Sequence, residues 1–375
     1  MDTRPSEIFE PPPPIPPVAD GENRPFWSVM IPTYNCNHYL VEAIRSVLRQ
    51  APGEEEMQIC VVDDNSPGWQ DAHDIAMAEG GGRVDFVRGD ENLGLAGNWN
   101  RCITLSRGEA VHILHQDDYV LPGFYEKLQE GFRQHPEIGM AFCRHEKLYE
   151  QRGYTTFGPL EQDQPGILEG WVERLLTKPR MQCASVTVRR STYETVGGFL
   201  PQLVYSVDEE MWVRIAARFA VWYEPAALAC YRWHDESESS RLSRQKNIPY
   251  DQKRSIDIMK SYLTEDKYAP YFRLSEKNRV LASSLHLAYE LISAGKLREG
   301  LDCIQTARRL LPWFGWHRKE PYLTLAKGCL SWIPGLRKSF QACKRQWYRT
   351  RTISRQVQQH PDPSPIELGY KCTRR

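Results

Sequence analysis

Gln58-Ile59-Cys60-Val61-Val62-Asp63-Asp64-Asn65-Ser66-Pro67-Gly68 carries the plan of the chain. Its apolar run does not alternate, as expected of a strand covered on both faces in a parallel sheet. The run stops at two acids and a dense turn signal. Upstream, Trp27–Ile31 reads as another strand, and His38–Gln50 as a helix with Leu40, Ile44, Val47 and Leu48 on one face. Downstream, a helix over Trp69–Glu79, a strand over Val84–Val87, a helix over Ala96–Leu105 and a strand over Ala110–Leu114 follow in order. This alternation implies an α/β fold with an open, mostly parallel sheet flanked by helices. In such sheets ligands bind at the carboxyl ends of the strands. Pro32-Thr33-Tyr34-Asn35, Asp63-Asp64 and Gln116-Asp117-Asp118 each stand directly after a strand.

Composition supports a sizeable core. Of 375 residues, 41% are apolar before the 25 glycines are counted, close to the globular average of roughly 45–50% once glycine is included. The 48 basic and 48 acidic residues cancel, so no overall field calls for a nucleic acid. No uncharged apolar run approaches the roughly 18 residues of a spanning helix. The start, from Met1 to Pro14, has acids and prolines where a secretory leader would be basic and then apolar. Neither a membrane-spanning nor a classically secreted protein is expected, and a cytoplasmic location follows. The ten cysteines are scattered without a Cys-x-x-Cys pair, which reads as buried thiols rather than a disulfide or zinc framework.

Four regions are expected. Residues 1–24 hold seven prolines, most of them between Pro11 and Pro17, and read as a disordered, solvated arm. Residues 25–241 form the α/β domain. Residues 242–355 form a helical extension, with amphipathic helices over Arg273–Ser293 and Leu297–Leu311, the second striped by Leu301, Ile304, Ala307 and Leu311. Residues 356–375 read as a flexible tail. Within the extension, 336–355 carries seven Lys/Arg and no acid, with Leu336, Phe340, Cys343 and Trp347 at helical spacing. A peripheral contact at the inner face of the membrane is one reading of it, and a solvated helix packed on the domain is the other.

Three acidic groups carry chemistry. Asp117 and Asp118 repel each other at a strand end unless something compensates, and a divalent cation does so naturally; a helix cap at Asp118 is the plain alternative. Asp63-Asp64 stands where a carboxylate can accept a nucleobase N–H, with Tyr34 placed to stack on the base. Asn92-Leu93-Gly94 opens a helix whose backbone N–H groups can approach a phosphate. Neither G-x-x-x-x-G-K-[ST] nor G-x-G-x-x-G occurs here, which removes the main support for a kinase-like NTPase or a nicotinamide dehydrogenase. Asp208 lies four residues before Trp212 in a helix striped by Met211, Trp212, Ile215 and Phe219, so it faces inward as a candidate general base. Glu209 is the second choice, and Glu210 with Arg214 reads as a solvent-side ion pair.

These segments, with Val29–Asn35, Val196-Gly197-Gly198-Phe199 and Tyr231-Arg232-Trp233-His234, resemble the family 2 glycosyltransferases of the GT-A fold, over about Phe26 to Arg241. The resemblance implies a Rossmann-like domain and an inverting hexosyltransferase. It would move a sugar from a nucleoside-diphosphate-sugar donor to the hydroxyl of a saccharide or lipid-linked acceptor, in cell-surface polysaccharide or glycoconjugate synthesis. Pro32, Tyr34 and Asp64 would hold base and ribose, and Asn92 and Gly94 would stand on the donor side. Asp117 and Asp118 would carry Mg²⁺ or Mn²⁺ with the diphosphate, His234 would be a third ligand or a diphosphate contact, and Asp208 would be the base.

One departure stands out. Many relatives have Asp-x-Asp-Asp where this chain has His115-Gln116-Asp117-Asp118. His115 reads as a packing residue, which leaves the cation mainly to Asp117 and Asp118. Two rivals remain at this level. A nucleotidyltransferase would need a Gly- and Arg/Lys-rich loop after the first strand, which Pro32–His38 lacks. A catalytically silent binding module of the same fold is the other, and His115 is its best support.

Overall fold

The computed structural model describes residues 9–35 and 38–316; the basic stretch 336–355 and the tail 356–375 lie outside the described residues. Five strands and four helices lead to the middle of the sheet: β1 (Trp27–Thr33), α1 (Tyr39–Leu48), β2 (Met57–Asp63), α2 (Trp69–Gly80), β3 (Asp85–Arg88), α3 (Gly94–Leu105), β4 (Ala110–Ile113), β5 (Tyr119–Val120) and α4 (Phe124–Gln134). Then come β6 (Ile138–Tyr149), β7 (Tyr154–Phe157), β8 (Gly166–Ile167), α5 (Trp171–Thr177), β9 (Val186–Arg189), α6 (Arg190–Val196), α7 (Val207–Ala216) and β10 (Ala220–Trp233). The described strands join one sheet in the order β3-β2-β1-β4-β9-β6-β10-β5, with β7 on β6 and β8 on β10.

The first four strands of that order are parallel, with Val29 beside Ile59 and Cys60 beside Asp85. β9 then enters antiparallel between β4 and β6. The sheet is therefore mixed: parallel where βα units build it and again between β6 and β10, and antiparallel on both sides of β9 and in hairpins such as β6–β7. β1 and β2 are buried at every residue, and their side chains divide by the two-residue period of a strand. Met30, Cys60 and Val62 join a core with α3, α5, α6 and α7, whereas Val29, Ile31, Ile59 and Val61 join one with α1, α2 and α4. Cys60, Cys102, Cys143 and Cys183 are free thiols buried in these cores.

Three expectations change here. The arm from Phe9 has no helix or strand, but it is docked through residues 12–16, while residues 19–24 stay exposed as expected. Ile15 is buried in the main core. The Gly198 amide donates to the Pro13 carbonyl at 2.7 Å, and Arg190 Nη2 to the Pro16 carbonyl at 3.0 Å. Gly197 suits this contact, because its φ is +81° and a Cβ would lie 2.7 Å from Pro12 Cβ. Glu210 and Arg214 are not at the surface either. Both are buried: Arg214 grips Glu210 with two nitrogens, at 3.0 and 2.8 Å, and caps the Val196 and Gly198 carbonyls. Finally, α3 starts at Gly94, two residues earlier than its hydrophobic pattern suggests, because another segment satisfies its first amides.

The helical extension is α8 (Glu238–Leu242), α9 (Ile248–Tyr262), α10 (Ala269–Glu276), α11 (Ala282–Ser293) and α12 (Leu297–Leu310). A π-helical turn, Lys277–Leu281, joins α10 to α11. Ile256, Met259, Phe272 and Val280 belong to the same core as Met30, so the extension closes one face of the sheet. On α12 the inward stripe is Gly300, Cys303 and Ala307, and Leu301 is exposed. Gly300 sets that rotation: a Cβ there would lie 2.4 Å from Ile292 Cγ1, so α11 packs directly on it.

Candidate active site

The ends of β1 and β2 make the first wall. Asn35 and Asn65, just past them, both have positive φ, at 49° and 57°, and turn the chain sharply there. Asp63 is spent inside the turn: it accepts from the Ser66 amide at 2.8 Å and the Ser66 hydroxyl at 2.6 Å. Asp64 points the opposite way, toward α3. Its Oδ1 accepts from the Leu93 amide at 2.9 Å and Arg101 Nη1 at 3.3 Å, and its Oδ2 from the Gly94 amide at 2.9 Å. The amides read from sequence as a phosphate cradle are thus bound by a carboxylate that favours the helix's positive end. Tyr34 is 46% exposed beside Pro32, and its ring is free to stack.

The second wall is the loop after β4. Asp118 is buried, and its Oδ1 accepts the backbone N–H of Arg232 at 2.8 Å. Its Oδ2 is buried with no hydrogen-bond partner, an unusual state for a carboxylate oxygen. Burial and the adjacent Asp117 both push the Asp118 carboxyl well above the usual carboxylate range. Asp117 Oδ2 lies 2.9 Å from His234 Nε2. His115 stacks on Trp99 at 4.9 Å, the packing role expected of it, yet its Nδ1 also comes within 3.7 Å of Asp118 Oδ2. Candidate ligand atoms of His115, Asp117 and Asp118 all lie within 4.8 Å of one another. His234 stands outside that group, with its ring turned to Asp117. An orphaned carboxylate oxygen among two acids and an imidazole is a donor set that fits a divalent cation.

Arg232, whose part is invisible in the sequence, holds this wall in place. Its Nε donates to the Asp117 carbonyl at 3.0 Å, Nη1 to Glu150 at 2.9 Å, and Nη2 to Glu42, while its guanidinium lies 4.5 Å over the Tyr39 ring. It therefore fixes Asp117 and Asp118 from both main chain and side chain. Nothing in the local sequence shows this, because its partners come from α1, the β4–β5 loop and the turn after β6.

The third wall is the start of α7. Asp208 Oδ1 accepts from the Glu209 amide at 2.8 Å, and the Cys183 thiol donates to Oδ2 at 3.7 Å. Burial raises the Asp208 carboxyl to about 6. Glu209 is turned away and paired with Arg279 of the π-helical turn, which also donates to the Leu175 carbonyl at 2.7 Å. All three walls face one cleft of about 750 Å³, lined by Tyr34, Asp64, Asp117, Asp118, Asp208 and His234 among others, with Pro32, Asn92 and Gly94 at its edge. Every residue expected to act is brought to this one place. Gln182 and Cys183 of the loop before β9 also line it, and the sequence had given Cys183 only as a buried thiol.

Residues 28–195 match the family described as glycosyl transferase family 2. An uncharacterized protein of Mycobacterium tuberculosis, MT1568, is 29% identical over 68% of this chain and 80% of its own length. A putative colanic acid biosynthesis glycosyl transferase of Escherichia coli, WcaA, is 33% identical, but only over 27% of this chain and 36% of its own. Among solved structures, TarS 1–349 of S. aureus with UDP-GlcNAc superposes with a TM-score of 0.52 at 13% identity, covering 78% of this chain and 93% of that one. The mannosyltransferase PcManGT of Pyrobaculum calidifontis with GDP-Man and Mn²⁺ gives 0.51 at 15% identity, covering 87% and 88%. No helix among the described residues is long and apolar enough to cross a membrane.

Proposed function

We propose that the chain, whose residues 28–195 match glycosyl transferase family 2 and whose fold is that of GT-A transferases, transfers a sugar, with inversion, from a nucleoside-diphosphate-sugar to an acceptor hydroxyl. The observation that carries this reading is the convergence of Asp64, Asp117, Asp118 and Asp208, from three distant segments, on one cleft. Tyr34 and the Asp64 turn suit the nucleoside. Asp117 and Asp118, with His115 beside them and His234 orienting Asp117, would hold Mg²⁺ or Mn²⁺. Such a cation, when bound, neutralises the charge that develops on the departing diphosphate. PcManGT carries Mn²⁺ with its donor, which supports the assignment.

A nucleoside diphosphate leaves as a stable anion, so the reaction needs a base and no protein acid. The acceptor hydroxyl attacks the anomeric carbon from the face opposite the diphosphate, and its proton passes to Asp208. A carboxyl raised to about 6 is ionised at neutral pH yet more basic than a surface aspartate, which suits a general base. The colanic acid relative supports a place in cell-surface polysaccharide or glycoconjugate assembly. The same reading puts the chain in the cytoplasm, with 336–355 as its contact to the inner membrane face.

The test supplies UDP-, GDP- and dTDP-sugars with Mn²⁺ and follows release of the nucleoside diphosphate. Asp208→Asn should lower transfer by about 10²–10⁴-fold while donor binding by calorimetry survives. Loss of donor binding on the same scale would make Asp208 structural. Pyrophosphate release would favour a nucleotidyltransferase, and no turnover with any donor a silent binding module.

A further inference from the structure

A second pocket, of about 160 Å³, opens beside the cleft and shares Asp208, Tyr205 and Tyr231 with it. Three cations border it. Arg180 is bound to Glu161 at 2.8 and 2.9 Å, and Arg279 to Glu209. Lys147 has no carboxylate partner among the described residues. Its ammonium lies instead 4.2 Å from the Trp233 ring and 5.1 Å from both Tyr231 and Tyr149. Parallel pairing of β6 with β10 makes this box, because Lys147 is in register with Tyr231 and Tyr149 with Trp233. The ring faces attract a cation but do not neutralise it. Burial lowers the Lys147 ammonium to about 8, so it is a cation at neutral pH that has lost part of its hydration. The indole N–H of Trp212, in the same wall, is also buried without an acceptor.

Three donors in this wall lack an acceptor among the described residues, the Lys147 ammonium, the Trp212 indole N–H and Arg279 Nε, and with the aromatic faces around them they describe a ligand. The rings suit the apolar face of a sugar, and the ammonium has no carboxylate of a described residue within ion-pair distance, Glu209 of the same pocket being bound to Arg279. We infer that this pocket seats the acceptor, and that the acceptor is a saccharide carrying a carboxylate or phosphate that pairs with Lys147. The inference rests on the transferase reading and goes beyond it, since that reading leaves the acceptor's charge open. A neutral sugar would leave the ammonium partly desolvated and uncompensated, which selects against it.

The full-length protein is given the donor it hydrolyses, from UDP-glucose, UDP-N-acetylglucosamine and GDP-mannose. Nucleoside diphosphate release is then titrated with methyl β-D-glucuronide, glycerol 1-phosphate and methyl β-D-glucoside. One of the anionic probes should half-saturate at about tenfold lower concentration than the glucoside, the scale of a partly desolvated ion pair. Which of the two responds identifies the group as carboxylate or phosphate. The ratio of anionic to neutral probe should fall to about one in Lys147→Gln and persist in Lys147→Arg. Comparing two probes in one protein cancels any general change in rate. Equal half-saturation in the unmodified protein, no response to any probe, or a preference that survives Lys147→Gln overturns the inference. Donor hydrolysis separates the two levels: its presence with no charge preference removes only the anionic acceptor, and its absence with every donor removes the transferase reading as well.

Discussion

Asp118 is a buried carboxylate and Asp208 a half-buried one at the cleft wall, and they answer to different tests. Burial raises Asp208 to about 6 from 3.8, so the folded state holds its proton more tightly than the unfolded one. Its contribution to stability is full below the unfolded value and disappears as pH rises through about 6; above that, the ionised group costs stability. Asp208→Asn should therefore melt above the unmodified protein at pH 7.5 and lose most of that advantage at pH 4, as thermal melts would read. Equal or lower melting at both pH values would show that the carboxylate is not strained. The same ionisation predicts that kcat/KM falls about tenfold per pH unit below about 6, with no such limb in Asp208→Asn. Asp118→Ala should abolish the dependence of donor binding on Mn²⁺ in calorimetry, since it removes the orphaned Oδ2. An undiminished Mn²⁺ effect would move the cation elsewhere. The sequence showed these acids but not their division of labour. Asp63 and Asp64 are adjacent and chemically identical, and only the strand's alternation, together with the arrival of α3, sends one into the turn and the other into the cleft wall.

At the scale of elements, the Glu210–Arg214 bracket ties α7 to the glycine turn after α6, and through the Tyr262 hydroxyl, 3.2 Å from Glu210, to α9. Arg214→Leu would leave the buried Glu210 carboxylate without its counter-charge, held among the described residues only by the Tyr262 hydroxyl, and the Val196 and Gly198 carbonyls without their donor. It should destabilise the protein by about 3–5 kcal/mol, seen as a lower urea midpoint. A loss under about 1 kcal/mol would return the pair to the surface role that its spacing suggests. An i, i+4 acid–base pair reads the same on a solvent face and in a core, so the sequence could not tell them apart. The first half was legible because β1 and β2 are unbroken apolar runs covered on both faces and α1 buries one periodic face. The rotation of α12 was legible in part: Ala307 and Leu311 of the expected stripe are buried and Ile304 packs inward, but the close approach of Gly300 to Ile292 leaves Leu301 outside.

Across the whole molecule, the docked arm holds α6 and the glycine turn after it, and the extension holds α7. Deleting residues 1–17 would expose the seat of Ile15 and leave Arg190 and the Gly198 amide short of acceptors. Together these losses should cost about 3–5 kcal/mol and lower Tm by several degrees. An unchanged Tm would make the arm a passive tail. Proline content alone suggested such a tail, because composition records the lack of a ladder but not the groove that receives the segment. Lys147 and its aromatic box were equally hidden, being assembled by two strands far apart in sequence. Arg279 has a different consequence. It answers Glu209 from 70 positions further along the chain, so a polypeptide emerging from the ribosome exposes its aspartate-lined crevice well before this counter-charge leaves the exit tunnel. The pocket beside Asp208 is accordingly finished late in synthesis, and a nascent chain stalled before the π-helical turn would carry it incomplete.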